Sequence, residues 1–536
     1  MVGLSTTDDR TGPAPAQWRP YTHRQVLQVL GGLVTATLTA MISTSIVSTA
    51  LPTIMGDLGG QEQLAWVASA PLLAMTATAP LWGKVSDLFG RKRMFQTALV
   101  IYALASVVAG LSQNVGMLIA ARALQGLGAG GVMSLTQVVL GDIVEPRERG
   151  RYAGYLGAAF GVATVTGPLV GGLLVDAPGL GWRSCFLVPV PLAVGSFIVI
   201  QKVLRLPPAD RTRRPRIDWL GAVAIAGGAS TVMVVLSLGG RSFPWNSGWT
   251  YGLTALSLAL LAAAVVAERR APEPILPPRL FRDRTFVLTA AVSLLIGMVM
   301  FGVMIFLPQY LQVVRGMSPT ASGLMTLPLV GGMLAASTVS GQLTTRTGRY
   351  KIFPVSGLVL LTCGVLLLSG LHTDSPLAVI GADCAIAGIG LGLTMQTLIL
   401  AAQNAVPRAD LAAATTGVTF FRSLGSAVGV AAFGAILTAR LTSGLADRLR
   451  AAHLPVPADA GTGLGTPAEI RALPEPYLGF LLDSYTEGLR TVYLVGVPLA
   501  ALALLAVLAL RELPLRTSAP AEPPAVEPVE PTTPAR

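Results

Sequence analysis

Charged side chains are scarce in this chain: Asp, Glu, Lys and Arg make up 12% of 536 residues, against 52% apolar ones. That leaves too little polar surface to coat a soluble fold of this length, so lipid must solvate most of it. Histidine is scarcer still, at positions 23, 372 and 453 only, and the three cysteines, Cys185, Cys363 and Cys384, lack metal-type spacing. No metal site and no catalytic constellation is expected from so few ligands and nucleophiles. No phosphate-cradling loop or nucleophile elbow occurs either, so neither an enzyme nor an ATP-driven pump is expected.

What is abundant is apolar sequence in runs of about 20 residues, each long enough to cross a hydrocarbon core ~30 Å thick as a helix. Fourteen such spans are expected, over 26–51, 64–82, 94–113, 115–143, 152–175, 184–204, 219–238, 249–267, 286–307, 319–343, 352–371, 377–402, 411–437 and 491–510. None alternates polar and apolar residues as barrel strands would, which leaves an all-α polytopic membrane protein. Of the 38 Lys and Arg, 28 fall on the segments that share a side with the amino terminus and eight on the other side. The bias predicts both termini in the cytoplasm, the chain being a multi-pass protein of the cytoplasmic membrane. The net charge of +11 is dispersed over short loops facing an anionic leaflet, so the expected partner is the bilayer and not nucleic acid. Residues before Arg24 are polar and carry no cleavable signal, so the first span is expected to direct insertion.

An internal repeat organises the chain. Gly83-Lys84-Val85-Ser86-Asp87-Leu88-Phe89-Gly90-Arg91-Lys92-Arg93 follows the second span. Gly341-Gln342-Leu343-Thr344-Thr345-Arg346-Thr347-Gly348-Arg349-Tyr350-Lys351 follows the tenth. Eight spans separate the copies, which predicts two six-helix halves, 26–205 and 286–511, with two extra helices in 206–285. A tail at 1–25, a long outer loop at 438–490 and a disordered proline-rich tail at 512–536 complete the expected plan.

The loop from Gly83 to Arg93 resembles the cytoplasmic loop motif of the major facilitator superfamily, and the fourteen-span layout is similar to its drug:proton antiporter branch, of the EmrB/QacA type. The resemblance implies the major facilitator fold and no cofactor, the proton gradient supplying the energy. It also implies that Gly83, Asp87, Gly90, Arg91 and Arg93, with Gly341, Gly348 and Arg349 in the second copy, form a gating loop. Asp87 can pair with Arg91 or face the positive end of a neighbouring helix; the second copy has Thr345 at that position.

Arg122-Ala123-Leu124-Gln125-Gly126 in the fourth span resembles the family's motif with an intramembrane Arg. An ionisable group in lipid is expensive and points to function, so Arg122, with Asp142 at the end of the same span, is a candidate for proton coupling. Gly161, Gly167, Pro168, Gly171 and Gly172 in the fifth span are similar to the motif that marks exporters in the family. The run Pro328 to Gly332 in the tenth span looks like a partial copy but is read as packing. Gln309 and Tyr310, and Phe420, Phe421 and Arg422, resemble further family segments and, with Ser43 and Gln125, are candidates for the substrate path.

One departure stands out. Relatives in this branch carry an Asp in the first span where this chain has Ser43. A hydroxyl can neither hold a proton for coupling nor attract a cation as a carboxylate does. Asp383, in the twelfth span, is a candidate replacement, the alternative being a solvated residue near the outer surface. The expected function is export of lipophilic small molecules, drugs or antibiotics, by proton antiport through alternating access. A lipid or endogenous-metabolite exporter of the same fold, and a non-transporting membrane sensor, remain as alternatives.

Overall fold

The computed structural model describes residues 21–515, apart from 59–62, parts of 145–180, 207–217, 240–242, 272–273, 456–469 and 471–472. Within them lie long helices: α1 (His23–Leu58), α2 (Leu64–Phe89), α3 (Arg91–Gly110), α4 (Val115–Ile143), α5 (Pro189–Val203), α6 (Trp219–Leu238) and α7 (Gly248–Arg270). After these come α8 (Arg284–Val313), α9 (Leu327–Thr347), α10 (Ile352–Leu368), α11 (Leu377–Ala405), α12 (Leu411–Ala451) and α13 (Tyr477–Leu508). Ten helices among the described residues are long and apolar enough to cross a membrane, and two shorter apolar ones cover Leu220–Leu236 and Ile352–Leu368. The protein is therefore an all-helical, multi-pass membrane protein.

Side-chain caps fix several helix starts. Asn114 accepts from the Met117 amide at the head of α4, and Asp283 accepts from the Phe286 amide at 2.8 Å at the head of α8. The glycines of the two loop motifs end their helices. Gly90 (φ 94°) and Gly348 (φ 71°) both adopt the backbone region that a side chain disfavours, so the helix stops there in each copy.

The repeat extends into the packing. α2 and α3 both pack on α4, and α1 on α5; α9 and α10 both pack on α11, and α8 on α13. Glycines permit the closest crossings. Gly126 and Gly130 on α4 lie against the backbone of Pro71 and Met75 on α2, while Gly388 and Gly392 on α11 lie against Leu329 and Met333 on α9. Between them, Gly128 meets Ala98 and Tyr102 on α3, and Gly390 meets Gly357 and Leu361 on α10. Small residues at a four-residue interval let two membrane helices approach until their backbones touch, where dispersion contacts hold them. The added helices α6 and α7 pack on each other, and α6 also packs on α2 and α12.

Two expectations about segment ends need correction. The segment 438–490 is not one long loop: α12 runs on to Ala451 and α13 starts at Tyr477. At 41 residues α12 is roughly 60 Å long, twice the hydrocarbon thickness, so its last turns project beyond the bilayer. Leu441, Leu445 and Leu449 continue its apolar stripe at four-residue spacing and share one core with Leu481, Tyr485 and Leu489 of α13. Arg448 adds a hydrogen bond to Ser484 at 2.9 Å and an ion pair with Glu487 at 2.8 Å. Nor is 512–536 unstructured from its first residue. The Glu512 carboxylate accepts from the Tyr350 and Lys351 amides at 2.9 and 3.2 Å, at the start of α10, where the helix dipole favours an anion. Residues 516–536, expected to be disordered, lie outside the described ones.

Candidate functional site

The end of the bundle where α2 meets α3 carries Lys84, Arg91, Lys92 and Arg93, and is called here the basic end. Gly90 turns the chain so sharply that the last turn of α2 and the first turn of α3 lie together, which aims Arg91 back at α2 and across to α4. Its guanidinium donates to Asp142 at 2.9 Å through Nε and to Ser86 at 2.6 Å, and pairs with Asp87 as well. One fork of donors thus joins the ends of three helices. Burial pushes the Asp87 carboxyl up from its ordinary range, and the neighbouring Arg91 charge opposes that shift. Arg93 is exposed. In the second copy Arg349 is exposed and Gly341 is buried, and the Glu512 carboxylate holds the Tyr350 amide just past the turn.

Across the basic end the first and second repeats meet directly. Gly83 on α2 lies against Thr416 on α12, and Gly141 on α4 lies 3.2 Å, measured from the position of an added methyl, from both Gln403 and Leu411. Beside this seam is a small cleft lined by Gln137, Gly141, Ser340, Thr344, Gln396 and Gln403. The Thr344 hydroxyl in it is buried with no hydrogen-bond partner.

Deeper in the first repeat a buried polar chain crosses four helices. Arg122 donates to Gln125 at 2.7 Å and to the Val67 carbonyl at 3.4 Å; Gln125 donates to Ser106 at 2.8 Å and to Ser43 at 3.2 Å. Among the described residues the buried guanidinium is thus met by an amide and a backbone carbonyl, not a carboxylate, and Gln125 passes the chain on to two hydroxyls. Ser43 and Gln125, expected to line a path, are only 1% and 2% exposed, because their polar atoms satisfy each other. Gly167 presses against the Ser45 side chain on α1, one turn face from this chain. Gly171 is buried and Gly172 has open space beside it, whereas Gly161 and Pro168 lie outside the described residues.

The remaining candidates lie elsewhere in the bundle. Phe420 and Phe421, 5.5 Å apart edge to face, pack with Ala77 of α2 and Ala229 of α6, so they cement a helix seam. Tyr310 is fully buried and its hydroxyl donates to the His372 carbonyl, while exposed Gln309 accepts from Tyr485 at 3.2 Å; both hold the end opposite the basic one. Arg422, at mid-helix, is half-buried with no ion-pair partner among the described residues. Asp383 is 6% exposed and forms no hydrogen bond among the described residues.

At the opposite end Asp57 accepts from the Trp182 indole at 2.7 Å and pairs with Arg183 at 3.3 Å, and Arg183 stacks 4.3 Å over Trp182. The Trp182 hydrogen bond first, and Arg183 second, depress the Asp57 carboxyl. A carboxyl lowered on folding stabilises above its ordinary titration, near about pH 4, and loses that stabilisation as pH falls through its folded value. Tryptophan emission of the wild type should therefore change below about pH 4. The difference should vanish in Asp57→Asn, and an identical acid response in both would remove Trp182 as the reporter.

Residues 33–430 match the family model described as Major Facilitator Superfamily. An uncharacterized MFS-type transporter of Mycobacterium tuberculosis is 39% identical over 487 residues, spanning 91% of this chain and 70% of that protein. The multidrug transporter protein MdtP of Bacillus subtilis is 34% identical over 421 residues, spanning 78% of this chain and 77% of its own length. Among solved structures, the proton:xylose symporter XylE superposes with a TM-score of 0.58 at 14% identity, covering 92% of this chain and 97% of that one, a likeness of fold alone. The chain is thus a transporter and not an enzyme, and it belongs to the major facilitator superfamily.

Proposed function

We propose that this transporter is a fourteen-span exporter of lipophilic small molecules in the cytoplasmic membrane, of the drug:proton antiporter branch, with both termini inside. It would work by alternating access between halves 26–205 and 286–511. The observation that carries this reading is the closed basic end: Gly83 on Thr416, Gly141 on Gln403 and Leu411, with the Arg91 fork locking α2, α3 and α4 beside the seam. A carrier sealed at its basic end is poised to release cargo on the other side. Relatives named for multidrug transport and efflux support outward movement.

Charge placement bears on the cargo. Position 43 holds a serine engaged by Gln125, and Arg422 has no ion-pair partner among the described residues, so the mid-helix field is positive. Neutral or anionic lipophilic compounds fit that field better than cations. Asp383, buried without a hydrogen-bond partner, is the acid placed to take up and release a proton during the cycle.

Vesicles loaded with a neutral fluorescent drug and given a pH gradient provide the test. Asp383→Asn should abolish gradient-driven efflux, at least tenfold, while leaving drug binding within about threefold, a factor worth ~0.7 kcal/mol. Efflux that survives collapse of the gradient in the wild type would sink proton coupling. Efflux that tracks the gradient in Asp383→Asn would remove Asp383 alone.

A further inference from the structure

The two added helices bring a pair of carboxylates together at the basic end. Asp218 caps α6, its Oδ1 accepting from the Gly221 amide at 2.9 Å. Glu268, in the last turn of α7 and 7% exposed, accepts from the Leu276 amide at 3.0 Å through Oε2. The second oxygen of each, Asp218 Oδ2 and Glu268 Oε1, is buried and has no hydrogen-bond partner among the described residues. Both converge on one point: a methyl group added at Gly221 would strike Oδ2 and lie 2.9 Å from Oε1. Leu81, Ala222, Ala264, Ile275 and Leu276 make the surroundings apolar.

Two ionised carboxylates aimed at each other in such a place repel, and each leaves a buried acceptor unmet. One proton resolves both problems. It removes one charge and turns one oxygen into a donor for the other. We propose that Asp218 and Glu268 bind a single proton between them, forming a titrating site built by the helices inserted between the two repeats.

Among the described residues the charges facing the pair are few. Lys84, from the end of α2, acts on both Glu268 and Asp87. Arg269 and Arg270, next along α7, are exposed. α12 meets α6 through Phe420 and Phe421, and Asp410 at its start is held by Arg279 at 2.6 Å. Losing the shared proton would add a negative charge on the Glu268 side of Lys84 and draw its ammonium from Asp87. The proton would then bear on the Arg91 fork. That last link rests on the gate reading above; the proton site does not.

The test is infrared spectroscopy of the purified full-length protein in lipid nanodiscs across pH, which needs no transport. The wild type should show a protonated-carboxyl band persisting above about pH 6, where solvated Asp and Glu are ionised. Glu268→Gln and Asp218→Asn should each lose that band, because the introduced amide donates to a partner that stays ionised. A band unchanged in both variants overturns the proposal. Stability gives a second measurement. Because the shared proton is held more tightly folded than unfolded, the wild-type Tm should fall as pH rises above about 6, beyond the ordinary carboxylate range, and the fall should be absent in Glu268→Gln. A wild-type Tm that is flat above that pH overturns the proposal as well.

Discussion

Gly388→Ala should cost most of the folded protein: severalfold less monodisperse material, and a clear drop in Tm for what remains. The added methyl would overlap the Leu329 carbonyl oxygen and lie 2.7 Å from its carbonyl carbon, and neither atom can rotate away because both are backbone. α9 and α11 would have to separate, with loss of contact along the whole crossing through Gly392 and Met333. Overpacking commonly costs about 1–3 kcal/mol, and a clash with helix backbone belongs at or above the top of that range. Gly331→Ala is the matched control, since nothing lies within 4 Å of a methyl there. Equal yields and melting temperatures for the two variants would show that the crossing is looser than described. Gly126→Ala, against Pro71, should repeat the loss in the first repeat.

Arg91→Ala should cut transport at least tenfold and lower stability by about 2–3 kcal/mol. Removing one member of a buried ion pair typically costs ~3–5 kcal/mol, because the partner is left charged and unmet. Here two partners are orphaned, but Asp87 and Asp142 are 26% and 27% exposed, and water recovers part of the loss. Arg91→Lys should fall between, as an ammonium cannot present the Nε and Nη donors that reach Asp142, Asp87 and Ser86 together. Transport measured beside Tm separates two roles. If Arg91→Ala melts as the variant should but transports at the wild-type rate, the fork is a staple within one repeat and no part of the gate.

The membrane class and the repeat were legible in the sequence because each rests on a long-range regularity: apolar runs of constant length, and Gly-Arg pairs recurring after matched helices. Arg91 with Asp87 was also legible, the two lying four residues apart around Gly90. The correspondence of Gly126 and Gly130 with Gly388 and Gly392 was not, since glycines are common in membrane helices and only the partner backbones single these out. Glu512 gave no local signal, its partners being more than 160 residues away. The ends of α12 and α13 were misread because Pro and Gly between them suggested a loop, while the leucine stripe at 441, 445 and 449 carries the helix on. Ser43 was read as a vacancy. In the structure it is an acceptor for Gln125, one end of a polar chain whose only charge among the described residues is the Arg122 guanidinium.

Among the described residues, the projecting ends of α12 and α13 belong to the second repeat and break the near-symmetry of the two halves at the end opposite the basic one. A rigid antibody fragment raised against the surface around Arg448 and Glu487 would mark that half unambiguously. It would also supply the extramembrane mass by which single particles of so compact a transporter could be oriented in images. Because α12 also carries Leu411 and Thr416 at the basic-end seam, the marker's tilt would test the proposed rocking of one half against the other.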